Sequence, residues 1–203
     1  VKNENLWKIF VVKQYETNKL GYLPVSIQSM KKIFAISWST RYNSSNLNIL
    51  KVIQSTTREL FEITIYDGFS GIPHFNPDID RENPPKEVIE LRDMIHQADG
   101  VLICTPEYIF SLPGSLKNLL EWCVSTTLFT DKPVALITAS ASGEKWHEEL
   151  LLIMKTLGAR YNDGTTLLIS GVKGKMNTNG EIIDTTTQDQ IQKLVDSFVE
   201  QIQ

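Results

Sequence analysis

Residues 105–118 read TPEYIFSLPGSLKN, placed between the apolar run VLIC and the helix-like LLEW. A proline beside a tyrosine stiffens the backbone where a flat aromatic side chain stands. Pro106 and Tyr108 together can present N–H and C=O groups, and a ring, to the edge of a planar heterocycle. Glu107 between them reads as a ligand contact, a salt-bridge partner, or neither. A second stretch, SWSTRYNSSN (37–46), carries hydroxyls at 37, 39, 40, 44 and 45, the guanidinium of Arg41, and Asn46 where a helix opens. Hydroxyls, helix-start N–H groups and one guanidinium suit a phosphate. Neither GxGxxG nor GxxxxGK[ST] is present, so the dinucleotide fingerprint and the P-loop are both missing. A third stretch, TASASGEK (138–145), holds small residues that let a ligand approach the backbone. A phosphate cradle, a flat-ring edge and a small-residue wall suit a mononucleotide with a planar ring, and flavin mononucleotide (FMN) fits. No pair of side chains reads as nucleophile and base. The three histidines, His74, His96 and His147, lack metal-ligand spacing and read as structural or surface residues.

These stretches matter only if the chain brings them together, and the alternation of elements says that it does. KKIFAIS (31–37), FEITIYD (61–67), DGVLICT (99–105), PVALITAS (133–140) and the TLLISG part of 160–171 read as strands. Helical spacing follows each: from Ser44; over Val88, Leu91, Ile95 and Ala98; over 112–126, with Ser111 or Pro113 near the start; from about 143 to 157; and over Ile191, Leu194, Val195, Phe198 and Ile202. GFSGIPHFNPDIDRENPP reads as a long ordered loop or partial lid. Strands alternating with helices predict the α/β class, with a five-stranded parallel sheet covered by helices on both faces. Ligands bind such sheets at the carboxyl ends of the strands, where strand order reverses. The loops after strands one, three and four therefore converge, and they are the three stretches above.

Composition narrows the classes. The 203 residues suit one domain, read as 30–203 behind an N-terminal extension, 1–29. A net charge of −4 with interspersed signs argues against nucleic acid as a partner. No apolar run reaches the roughly 18 residues of a membrane span. Cys104 and Cys123 lie in apolar stretches and read as buried thiols of a reducing cytoplasm.

From about Lys31 to Ile202 the chain resembles the NADPH-dependent FMN reductase family, flavodoxin-like enzymes that include quinone, chromate and azo-dye reductases. Ser39-Thr40-Arg41-Tyr42-Asn43-Ser44-Ser45-Asn46 matches the family's first loop from its serine onward. Ala98-Asp99 and Thr105 through Asn118 match its second signature, which is long and specific. The resemblance implies that Ser39, Arg41, Ser44, Ser45 and Asn46 surround the FMN phosphate. It implies that Pro106, Glu107, Tyr108 and Ile109 border the isoalloxazine ring, and that Ser140 and Gly143 sit in the third FMN-facing loop. HFNPDID (74–80) resembles a loop that lies near a subunit interface in the family, and the helix holding Trp122 is expected to contribute buried contact. Homodimers or homotetramers are the family's usual assemblies. Trp38, Ile109 and Ala141-Ser142 depart from the family's usual glycine, asparagine and Pro-Gly.

The expected activity is hydride transfer from NADPH or NADH through FMN to a small-molecule acceptor, such as a quinone, a flavin or an azo compound. The cofactor carries that chemistry, while the protein binds and orients it. Backbone N–H groups after Pro106 are expected to face the negative charge of the reduced ring. The alternatives are a flavodoxin-type electron carrier and a flavodoxin-like binding or regulatory module without turnover.

Overall fold

Alternating burial on each strand explains the architecture. In the computed structural model, which describes residues 30–37, 44–66 and 68–203, β1 (Lys31–Ser37) sends Ile33 and Ala35 to one face and Phe34 and Ile36 to the other. β3 (Gly100–Thr105) and β4 (Val134–Ser140) do the same and are buried along their whole length, as strands covered on both faces must be. β2 (Phe61–Tyr66) and β5 (Thr166–Ser170) are less buried and form the edges. The order is β2-β1-β3-β4-β5, and every pairing is parallel.

Two helices close one face. α1 (Ser45–Thr56) contributes Ile49, Leu50 and Ile53, and the long C-terminal helix (Thr185–Ile202), numbered α6 below, contributes Ile191, Leu194, Val195, Phe198 and Ile202. The other face is closed by α3 (Lys86–Gln97), α4 (Gly114–Glu121) and α5 (Glu144–Thr156), with Leu91, Leu116, Trp146 and Leu150 at its centre. α2 (Pro77–Asp80) is a single turn within residues 68–85.

That segment is the ordered loop expected from its composition, and it is tied down by buried polar groups. Pro73 O accepts from Asn118 Nδ2 at 2.9 Å and Trp122 Nε1 at 2.8 Å, while Phe75 N donates to Asn118 Oδ1 at 2.7 Å. Arg92 on α3 joins the carboxylate of Asp80 to the carbonyl of Trp122. Trp122 is consequently buried within its own chain, edge-on to Phe75 at 5.1 Å between ring centres. The expectation that its helix contributes buried contact to a partner therefore does not extend to this ring.

Helix α4 is shorter than the 112–126 expected from spacing. After Glu121 the chain tightens into i→i+3 bonds, Cys123 N to Leu120 O at 3.0 Å and Val124 N to Glu121 O at 3.1 Å. Thr126 Oγ1 donates to Cys123 O at 2.6 Å, a local bond that competes with helix continuation.

Candidate functional site

β1, β3 and β4 are neighbours in the sheet, with Ser37 in register with Cys104 and Thr105 with Thr138. Their carboxyl ends meet where the chain reverses its strand order, between β1 and β3. The loops after β3 and β4 come together beside that point, where the alternation predicted a ligand edge. Of the first loop, residues 38–43, including Ser39 and Arg41, lie outside the described residues.

At its far end Ser44 caps α1, its Oγ accepting from Leu47 N at 3.1 Å. The first-turn N–H groups of Ser45 and Asn46 have no acceptor within the helix, by its geometry, and the helix start carries partial positive charge. The Asn46 side chain is engaged elsewhere. Its Nδ2 donates to Ala139 O at 3.4 Å, and its Oδ1 accepts from Cys104 Sγ at 3.2 Å. Asn46 thus fastens α1 to β3 and β4, and only its backbone is left to face an anion. Burial pushes the Cys104 thiol far above its ordinary range and the Cys123 thiol up to about 12, so neither is a thiolate at neutral pH.

The loops after β3 and β4 are latched together. Glu107 Oε2 accepts from Gly143 N at 3.0 Å, which places a carboxylate at the start of the thirteen-residue α5, where negative charge is favoured. Sequence left Glu107 as a ligand contact, a salt-bridge partner or neither; the structure gives it a hydrogen bond between loops. Gly143 has φ +92°, and a Cβ on it would stand 2.7 Å from Ser140 Oγ and 2.8 Å from Leu168 Cδ1. Only glycine fits this close approach. Ser170 Oγ donates to Ser142 O at 2.7 Å, bracing the same loop from β5.

Pro106 is buried, Glu107 half-buried and Tyr108 exposed. Tyr108 N donates to Ser111 O at 2.9 Å and Ser111 N to Tyr108 O at 3.0 Å, closing a two-residue turn around Ile109 and Phe110. The N–H of Tyr108 is therefore committed to the turn. Among the donors expected after Pro106, the N–H groups of Glu107 and Ile109 are those left to face a ring.

Two hydroxyls at this edge, Ser37 Oγ and Ser140 Oγ on the last residues of β1 and β4, are buried without hydrogen-bond partners among the described residues. Buried polar groups are ordinarily paired, so each of these hydroxyls has hydrogen-bonding capacity left unused by the described residues. His147, read from sequence as structural or surface, belongs to this neighbourhood. Its Nδ1 lies 2.9 Å from Thr138 Oγ1, and its N–H donates to Gly143 O at 2.8 Å. Its position four residues after Gly143, one turn into α5, was the available signal.

A model of the NADPH-dependent FMN reductase family matches residues 31–173. The chain belongs to that family. Curated relatives include an NADH:(hydroxy)cinnamate reductase subunit of Vibrio ruber, 32% identical over 77% of this chain and 79% of the relative. A quinone reductase of Escherichia coli is 28% identical over 85% of this chain and 95% of its own. Among solved structures, the NAD(P)H:(acceptor) oxidoreductase FerB of Paracoccus denitrificans superposes with a TM-score of 0.67 at 24% identity. That match covers 85% of this chain and 97% of FerB, and shows the same flavodoxin-like fold. The reductase is accordingly an FMN-dependent NAD(P)H oxidoreductase, and the unpartnered Ser140 hydroxyl beside Gly143 is a polar group that such a cofactor could engage.

Proposed function

We propose that the reductase reduces small planar acceptors of the quinone class, with FMN held at the β1–β3–β4 edge. Bound FMN supplies the redox chemistry, so that NAD(P)H, a proton and a quinone yield NAD(P)⁺ and a hydroquinone. The protein's part is binding and orientation. Ser39, Arg41, Ser44, Ser45 and the backbone of Asn46 hold the phosphate. Pro106, Glu107, Tyr108 and Ile109 border the ring, and Ser140 and Gly143 line the opposite wall. The observation that carries this reading is the Glu107–Gly143 bond, which fixes two loops at one spacing beside the unpartnered buried hydroxyl of Ser140.

The same reading places residues 30–203 as the catalytic domain, in the cytoplasm, as a homodimer or homotetramer. Two free buried cysteines support the compartment, and the family's usual assembly supports the oligomer. Among the described residues no helix is long and apolar enough to cross a membrane.

The test is the visible spectrum of the purified protein with FMN, followed by anaerobic NADPH and then an acceptor. Flavin bands that shift on binding, bleach with NADPH and return with a benzoquinone support the proposal. Bands that return only with a hydroxycinnamate or an azo dye reassign the acceptor. Bound flavin that NADPH does not bleach favours an electron carrier. Substitution Arg41→Ala should weaken FMN binding about tenfold or more, the scale of one charge-assisted phosphate contact, with a smaller effect on riboflavin, which lacks the phosphate.

A further inference from the structure

Phe110 stands outside every role assigned above. It is 70% exposed, and Ile109 beside it is 96% exposed, at the tip of the turn after β3. Both have positive φ, +52° for Ile109 and +56° for Phe110. That region favours glycine and asparagine and is strained for a β-branched or bulky residue. A mirror-image two-residue turn is ordinarily made with Asn-Gly or Asp-Gly. Nothing about reversing the chain calls for two large apolar side chains here, and neither packs on the core.

The turn is also held firmly. Its two backbone bonds close it, and Ser111 Oγ donates to Glu149 Oε2 on α5 at 3.2 Å. Two residues before the tip's first member, Glu107 anchors the stem to Gly143. A rigid stem thus holds an apolar tip out from the sheet edge where the flavin loops converge.

We infer that Phe110 selects the electron acceptor, serving as a platform on which a planar, apolar quinone stacks while Ile109 shields the contact from water. This rests on the reductase reading above and narrows it to alkylated, poorly hydrated quinones over ionic acceptors. A phenyl ring offers a flat face and no charge, so it favours planar aromatic partners and does nothing for a hydrated ion.

The test compares kcat/KM for 2-methyl-1,4-naphthoquinone and for ferricyanide in the FMN-loaded protein and in Phe110→Asn and Phe110→Trp. The ratio of naphthoquinone to ferricyanide should fall about tenfold in Phe110→Asn, the scale of one lost apolar or stacking contact, and should hold within about twofold in Phe110→Trp. The thermal midpoint of the FMN-free protein should rise by about 2–4 °C in Phe110→Asn as strain is relieved. An unchanged ratio overturns the proposal, as does a lowered midpoint, which would make Phe110 a packing residue. Equal loss on both acceptors with weaker FMN binding would make the turn a cofactor support. A changed sedimentation coefficient would make the tip a subunit contact. If the unsubstituted protein binds FMN but reduces neither acceptor, the reductase reading fails first and the proposal with it.

Discussion

Glu107 shows how one side chain sets the spacing of a site. Its carboxylate holds the loop after β4 by a single bond to Gly143 N, so removing it should loosen the wall against which a ring packs. Glu107→Ala is expected to raise the Kd for FMN about tenfold and to lower stability by about 1.5–3 kcal/mol, the scale of one hydrogen bond to a charged group. Glu107→Gln keeps an acceptor oxygen and should stay within about threefold. Flavin fluorescence titration reads the first effect and urea denaturation the second. His147 gives a pH dependence whose sign is set by burial. Desolvation holds its pKa below the ordinary 6.5, against a weaker upward pull from Glu148. The unfolded chain therefore takes up the proton first as pH falls, so stability is flat above about pH 6.5 and declines from there down to the depressed folded value. His147→Asn should flatten that decline in midpoints measured from about pH 7.5 to 5.5. Glu107 and Asn46 were visible in the sequence, but their partners were not. Glu107 reaches 36 positions to Gly143, and Asn46 reaches 58 to Cys104. Loop position put each at the carboxyl edge of the sheet, whereas the bond each makes depends on strand register. The strained turn at Ile109 and Phe110 was invisible for the opposite reason, because its residues contradict the chemistry such turns normally use.

At the level of elements the best-read features were the strands, of which β3 and β4 are buried throughout, and the amphipathic α6. The end of α4 was misread because Trp122, Cys123 and Val124 continue an apolar pattern after the backbone has left the α-helix. What holds that region is the Arg92 network, which no periodicity encodes. Asp80 is only 3% exposed and meets Arg92 as its ion-pair partner. Arg92→Ala leaves that carboxylate buried and alone and frees the Trp122 carbonyl, so unfolding by urea should show a loss of about 3–5 kcal/mol. Arg92→Lys should recover little, because an ammonium cannot reach both carbonyl and carboxylate as the guanidinium fork does.

For the molecule as a whole, the parallel order and the crossing point were legible from the alternation of elements, and the point of reversal predicted where the loops meet. Since FMN binds only the assembled edge, it should stabilise the entire fold. At about 100 times its Kd it should add about 2.7 kcal/mol, read as a rise of about 5–10 °C in the thermal midpoint. α6 has a further meaning. Its buried side chains complete one face of the sheet, and Phe198 and Ile202 press so closely on Gly100 that a Cβ there would lie 2.9 and 3.0 Å from them. The opening residue of the central strand β3 is thus sealed by residues made about a hundred positions later. During synthesis, at roughly 5–20 residues per second, that strand waits for several seconds or longer with one side bare. A ribosome that stalls before α6 emerges would display an apolar sheet to its surroundings, so this chain's exposure to holdases and proteases is decided while the codons of α6 are read.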